Sequence, residues 1–317
     1  MYITLSLFLA GFYFLIKGAD WLVIGASSIA KKFRVSNLMI GLTVVSFGTS
    51  APELIVNLIA SFQGSSDLAI GNVIGSNISN VLLILGIAAV IFPLAVKRGT
   101  TWKEIPFNLL AILALWLLIN DTLIDAGSAS LLSRIDGGIL LLFFIIFLYY
   151  TFGIGKVEGE GEDVKKHSIW ISVMMVIAGM LGLAFGGKWI VDGAIVIAQF
   201  FGMSEGLIGL TIIAIGTSLP ELAATAVAAW KHNPDIAIGN IIGSNIFNIF
   251  WILGLSALAK PLLFNDSLNI DIYVMFIATI VLFLFMFVGK KNILQRWQGI
   301  VMIGLYVAYI VYLVLRG

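Results

Sequence analysis

The chain has 317 residues, 60% hydrophobic and 11% charged, with a mean hydropathy of +1.08 and a formal net charge of +1. Those proportions exclude a soluble domain built around one core and indicate an all-α polytopic membrane protein; no nucleic-acid partner is expected. Cysteine is absent, which removes disulfides, thiolate metal sites and cysteine nucleophiles.

Apolar stretches long enough to cross a hydrocarbon core of about 30 Å lie at about residues 3–29, 38–62, 68–93, 102–120, 135–153, 169–200, 206–231, 236–261, 270–288 and 295–315. They read as ten transmembrane helices. Thirteen Lys and Arg then fall on the side of the odd-numbered connections, and three (Arg134, Lys260 and Arg316) on the other. Positive charge marks the cytoplasmic side, so both termini are expected outside a multi-pass protein of the plasma membrane. The first span lacks the charged leader and small-residue cleavage site of a removed signal peptide and is expected to stay.

The first span carries Lys17 and Asp20 at a spacing that allows an intrahelical pair. In the second, residues 41–54 read GLTVVSFGTSAPEL. Pro52 has no N–H for the preceding turn and Gly48 loosens the backbone, which predicts a break and free carbonyl oxygens near Ser46 and Gly48. Such backbone is tolerated in a membrane only against protein or a wet cavity. Glu53 follows with no charged neighbour. A charge at the bilayer centre costs about 2.5–3.5 kcal/mol on insertion scales, so the residue marks an ion or substrate path.

The third span, GNVIGSNISNVLLILG, places Asn72, Ser76 and Asn80 four apart on one helix face. Gly71 and Gly75 add a small-residue packing motif, and the sequon at Asn77 is discounted as buried. The fourth and fifth spans show no buried ionisable group and read as scaffold. Residues 154–168, GIGKVEGEGEDVKKH, form a glycine-rich, charged cytoplasmic linker.

Beyond the linker the pattern repeats. The sixth span holds Lys188 and Asp192, again at an intrahelical spacing. Residues 209–222 read GLTIIAIGTSLPEL, and the eighth span, GNIIGSNIFNIFWILG, repeats the polar stripe as Asn240, Ser244 and Asn248. Glu221 follows Glu53 by 168 residues (221 less 53), and the same offset relates Gly18 to Gly186, Pro52 to Pro220 and Gly75 to Gly243. From Gly41 to Gly86 roughly half the positions match their partners. The ninth and tenth spans read as scaffold. Five spans per copy turn the second copy over. The expected fold is therefore two inverted five-helix repeats, residues 1–153 and 169–317, with broken helices around a site at mid-membrane.

If the breaks and stripes meet, the cavity offers two carboxylates, the hydroxyls of Thr49, Ser50, Thr217 and Ser218, amide oxygens and carbonyls. These are hard donors, suited to Ca²⁺, Mg²⁺, Na⁺ or Mn²⁺; Ca²⁺ takes about six to eight oxygens in flexible geometry, whereas Mg²⁺ prefers to keep its water. One Ca²⁺ or two Na⁺ neutralise two ionised Glu, and an empty site resists switching, which favours exchange. An intramembrane aspartyl protease using Asp20 and Asp192 is disfavoured, since each has a nearby Lys. No enzyme activity and no cofactor are expected.

GTSAPEL and GTSLPEL, each followed about twenty residues later by the GSN-containing span, resemble the two alpha repeats of the cation/Ca²⁺ exchanger superfamily, specifically the prokaryotic Na⁺/Ca²⁺ exchangers. The resemblance implies a secondary active antiporter, monomeric in membrane lipid, that exchanges Na⁺ for Ca²⁺ by alternating access. It implies Glu53, Glu221, Thr49 and Thr217 as Ca²⁺ ligands. Ser50, Ser218, Ser76, Ser244 and the carbonyls of Ser46 and Ala214 match flanking Na⁺ ligands, and Asn80 and Asn248 match central polar positions. It also implies that the first and sixth spans slide past the rest. Some members have Asp at one central position, whereas this chain has Asn at both, which argues against K⁺ co-transport and leaves stoichiometry open. H⁺/Ca²⁺ exchange is the alternative.

Overall fold

The structure is a computed structural model that describes residues 2–124, 129–154, 167–200 and 214–316. Its main helices are α1 (Tyr2–Phe33), α2 (Asn37–Thr49), α3 (Ala51–Gln63), α4 (Ser66–Ile91), α5 (Arg98–Ile119) and α6 (Arg134–Ile154). After the linker come α7 (Ile169–Phe200), α8 (Ala214–Thr217), α9 (Leu219–Trp230), α10 (Pro234–Ala259), α11 (Asn269–Phe285) and α12 (Arg296–Arg316). Among the described residues, eight helices are individually long and apolar enough to cross a membrane, and α2 with α3, bent by 48°, makes a ninth. The expected span at 206–231 is described only from Ala214, and most of the 154–168 linker lies outside the described residues.

Burial separates centre from periphery. The spans of α10 and α4 are 83% and 72% buried, against 28–39% for the other six. The polar stripes expected to face one another are thus carried by the two innermost helices. Around α10, the rings of Phe107, Phe143, Phe144 and Phe147 pack on Phe247 and Phe250. Two small clasps join distant parts of the chain: β1 (Leu94–Ala95) pairs antiparallel with β4 (Ile293–Leu294), and β2 (Leu131–Leu132) with β3 (Leu262–Leu263).

α1 and α7 have 32 residues each, about 48 Å at 1.5 Å per residue. Both exceed the hydrocarbon thickness and must tilt. They pack on each other through glycines. A Cβ on Gly18 would sit 2.7 Å from the Leu183 nitrogen, and one on Gly179 would sit 2.7 Å from the Leu22 nitrogen. Only hydrogen fits at these crossings, which is how helices gain van der Waals contact in lipid.

Two expectations are corrected. The fourth and ninth spans do contain buried carboxylates. Glu104 accepts a hydrogen bond from the Tyr150 hydroxyl at 2.6 Å, and Asp271 accepts from Tyr309 at 3.0 Å and from Arg316 at 2.9 Å. Both acids occupy the first turn of a helical segment, where the macrodipole favours negative charge, and both take a tyrosine donor from the following span. Those partners are 46 and 38 residues away, beyond the reach of a local pattern. Asp20, for its part, pairs with Lys231 at 2.7 Å rather than with Lys17, because α1 packs along α9. Lys188 and Asp192 do form the expected i,i+4 pair, at 2.7 Å.

Candidate functional site

The site begins at two backbone bends. Ser50 separates α2 from α3 with φ −85° and ψ 4°, and Ser218 separates α8 from α9 with φ −90° and ψ 5°. Pro52 and Pro220 fall at the second position of the helix that restarts, where a missing N–H is cheapest. The Ser46 carbonyl is not released: it still accepts the Ser50 N–H at 2.9 Å. The Thr49 hydroxyl also lies within donating distance of it, at 3.3 Å. Gly48 is the residue whose carbonyl loses its i+4 donor, to Pro52.

Each restart places a glutamate in its first turn, so Glu53 and Glu221 both sit at a positive helix end. Both are 1% exposed. The two carboxyl groups lie within electrostatic range of each other, with Thr49 beside Glu221. Ser50 donates to Glu221 Oε1 at 3.0 Å. Among the described residues, neither carboxyl oxygen of Glu53 nor Oε2 of Glu221 has a hydrogen-bond partner, and all three are buried.

The polar stripes complete the surround. Thr49 donates to Asn240 Oδ1 at 3.1 Å and lies 3.4 Å from Ser244 Oγ, while Thr217 donates to Asn72 Oδ1 at 3.4 Å. Ser218 Oγ is 3.5 Å from Ser76 Oγ, and Ser46 Oγ lies 3.1 Å from the Asn240 carbonyl. Asn80 and Asn248 stand at the start of widened, π-helical turns, Asn80–Ile84 and Phe247–Leu253, a local geometry common at functional sites. Their Nδ2 atoms are bonded to Asn245 and Asn77, whereas Oδ1 of each is buried and unpartnered. Ala214 opens α8.

The structure therefore brings the sequence-identified side chains into one region. Sequence reasoning missed four neighbours: Asn77, Asn245, Asn57, which donates to the Glu53 carbonyl at 2.9 Å, and Thr225, which accepts from Asn240 at 3.0 Å. Recurrence of the Asn at the same place in both copies was the available signal for the first two. Glycine has separate work in the second stripe, where a Cβ on Gly239 would lie 2.8 Å from the Leu38 carbonyl. Among the described residues, nothing lies within 4 Å of a Cβ at Gly71 or Gly75.

No cluster of three or more His, Cys, Asp or Glu able to hold a metal exists among the described residues. The centre instead combines two acids with neutral oxygens. Five of its buried oxygens, from Glu53, Glu221, Asn80 and Asn248, have no donor among the described residues. Such atoms are costly unless something satisfies them, and a hard cation does.

A helical membrane protein whose central buried oxygens converge from distant parts of the chain belongs to the class of membrane ion carriers. Comparison with known proteins makes this specific. The family model described as sodium/calcium exchanger protein matches residues 3–153 and 171–315, and the chain belongs to that family, a two-repeat branch of the cation/Ca²⁺ exchanger superfamily. It is 37% identical over 301 residues to an uncharacterized membrane protein of Methanocaldococcus jannaschii, covering 95% of this chain and 94% of the relative. To the sodium/calcium exchanger MaX1 of Methanosarcina acetivorans it is 33% identical over 346 residues, covering 98% of each. The crystal structure of the sodium-calcium exchanger NCX_Mj soaked with Na⁺ and Ca²⁺ superposes with a TM-score of 0.84 at 36% identity, over 98% of both chains.

Proposed function

We propose that this antiporter exchanges Na⁺ for Ca²⁺ by alternating access, with Glu53, Glu221, Thr49 and Thr217 holding Ca²⁺. Ser50, Ser218, Ser76, Ser244 and the Ser46 and Ala214 carbonyls take Na⁺ on either side, and Asn80 and Asn248 complete the centre. The observation that carries this reading is the meeting of Glu53 and Glu221 at full burial with three of their four carboxyl oxygens unpartnered. Two ionised carboxylates match the charge of one Ca²⁺ or two Na⁺, and like charges this close in low dielectric repel strongly without a cation. Loaded states cross; the empty one is held back.

The same reading takes the chain as ten spans in two inverted repeats, residues 1–153 and 169–317, joined by the cytoplasmic linker 154–168, with both termini outside and one chain sufficing. The 168-residue offset supports it. Thr49 to Asn240 and Thr217 to Asn72 are one contact made twice; so are Asn80 to Asn245 and Asn248 to Asn77. Reconstituted protein should take up Ca²⁺ into liposomes when Na⁺ is loaded inside and absent outside. Uptake driven by a pH gradient with no Na⁺ present would instead establish H⁺/Ca²⁺ exchange.

A further inference from the structure

Four amides between α4 and α10 set the direction in which the central oxygens face. The order can be read from groups that cannot turn over. The Asn77 carbonyl is an acceptor only, and Asn245 Nδ2 faces it at 3.5 Å. Asn245 Oδ1 is thereby turned to Asn80, which must answer with its donor; the bond from Asn80 Nδ2 is 3.0 Å. Asn80 Oδ1 is left facing away, buried and unpartnered. The mirror relay runs from the Asn245 carbonyl to Asn77 Nδ2 at 3.2 Å, then from Asn248 Nδ2 to Asn77 Oδ1 at 2.9 Å, and again Asn248 Oδ1 is unpartnered.

We propose that Asn77 and Asn245 are positioning residues that lock Asn80 and Asn248 with oxygen, and never the amide NH₂, toward the transported cation. An amide side chain offers an acceptor at one end and donors at the other, and a free Asn beside a cation loses part of its population to the wrong end. The lock removes that loss before the ion arrives. It also crosses the molecule: Asn80 is set by a residue of α10, and Asn248 by a residue of α4. The turn bearing Asn80 packs on α9, which carries Glu221, and the turn bearing Asn248 packs on α3, which carries Glu53. Reversing Asn80 alone would place two oxygen acceptors 3.0 Å apart, and reversing Asn245 as well would set its oxygen against the Asn77 carbonyl.

This inference rests on the proposed Ca²⁺ site, and the test separates the two. Ca²⁺ uptake into Na⁺-loaded proteoliposomes is measured for wild type, Asn245→Ala, Asn80→Asp and the double variant Asn80→Asp/Asn245→Ala. Loss of the lock should raise the Ca²⁺ KM of Asn245→Ala about tenfold, the scale of one buried hydrogen bond, with the maximal rate changed much less. Asp has no wrong end to present, and removing Asn245 also takes away the oxygen that would face it at 3.0 Å, so the double variant should have a KM no higher than about twofold that of Asn80→Asp. That rescue is foreign to a residue that merely glues helices together. A KM for Asn245→Ala within about twofold of wild type, or the same tenfold loss in the Asp background, overturns the positioning role. If Asn245→Ala does not purify as a folded protein, Asn77→Ala with Asn248→Asp gives the mirror comparison. Wild type that moves no Ca²⁺ under either a Na⁺ or a pH gradient overturns the Ca²⁺ reading itself and this inference with it.

Discussion

Ser50 donates a 3.0 Å hydrogen bond to Glu221, 171 residues further along the chain, whereas Ser218, its counterpart at an offset of 168, reaches among the described residues Ser76, at 3.5 Å. The two bends have nearly the same backbone angles, so the asymmetry lies in the side chains. A hydrogen bond to a charged group is worth about 1.5–3 kcal/mol, against about 1 for a neutral one. Ser50→Ala should therefore weaken apparent Ca²⁺ affinity by roughly tenfold or more and Ser218→Ala by severalfold at most. Parallel flux titrations of both variants check the order; equal effects would show that the asymmetry has no energetic consequence.

Glu53 and Glu221 supply the full charges of the proposed site. Replacing either by Gln keeps size and one acceptor oxygen but leaves a single negative charge for a divalent ion. Truncating a buried charge pair typically costs about 2–5 kcal/mol, so kcat/KM for Ca²⁺ should fall by about thirtyfold to several thousandfold. Radiolabelled Ca²⁺ flux reads this directly, and near-normal transport by either variant would remove the carboxylates from the ion path.

The glycine seam between α1 and α7 predicts a different kind of defect. Valine at Gly18 puts a Cβ 2.7 Å from the Leu183 nitrogen and 2.9 Å from the Gly179 carbonyl oxygen, both rigid backbone atoms. Overpacking costs about 1–3 kcal/mol where side chains can adjust, and here the helices themselves must part. Gly18→Val should lower the melting temperature in detergent by several degrees. Gly138→Ala, where nothing described lies within 4 Å, should leave it unchanged.

At the far end of the chain, Arg316 holds Asp271, whose side chain is 4% exposed, through a 2.9 Å ion pair. Arg316→Ala leaves that carboxylate with Tyr309 alone, at a cost of about 1–3 kcal/mol for an undersatisfied buried group. Adding Asp271→Asn removes the stranded charge and should restore most of the loss. Thermal melts of the single and double variants check both steps.

Much of this was legible in the sequence because it lies in local pattern. Gly48, Pro52 and Glu53 announce a bend with an acid behind it, and the second copy shows that the arrangement is no accident. The four-residue spacing of Asn72, Ser76 and Asn80 identifies a polar face, and the structure turns that face toward Thr217, Ser218 and Asn245. What stayed hidden depends on contacts between distant helices. Asn77 lies off the stripe when the helix is ideal, and it enters the network only because Asn245 and Asn248 meet it from α10. Glu104 and Asp271 went unread as buried charges, since their tyrosine partners belong to the next span. Asp20 looked paired within its own helix until α9 brought Lys231 alongside.

The membrane orientation rests on charge asymmetry alone and can be tested cleanly, because the chain has no cysteine of its own. Lys97 and Lys260 are both exposed, and they follow α4 and α10, whose directions differ if the second copy is turned over. Neither is tightly held: Lys97 pairs with Asp235 across a half-exposed ion pair, and Lys260 Nζ is 3.4 Å from the Phe62 carbonyl. Such pairs contribute about 0–1 kcal/mol, so a cysteine at either position should leave the fold intact. In intact cells an impermeant thiol reagent should label Lys260→Cys at once and Lys97→Cys only after permeabilisation. Labelling of both from outside would place α4 and α10 in the same direction, contradicting the inverted repeat, and a reversed pattern would put both termini in the cytoplasm.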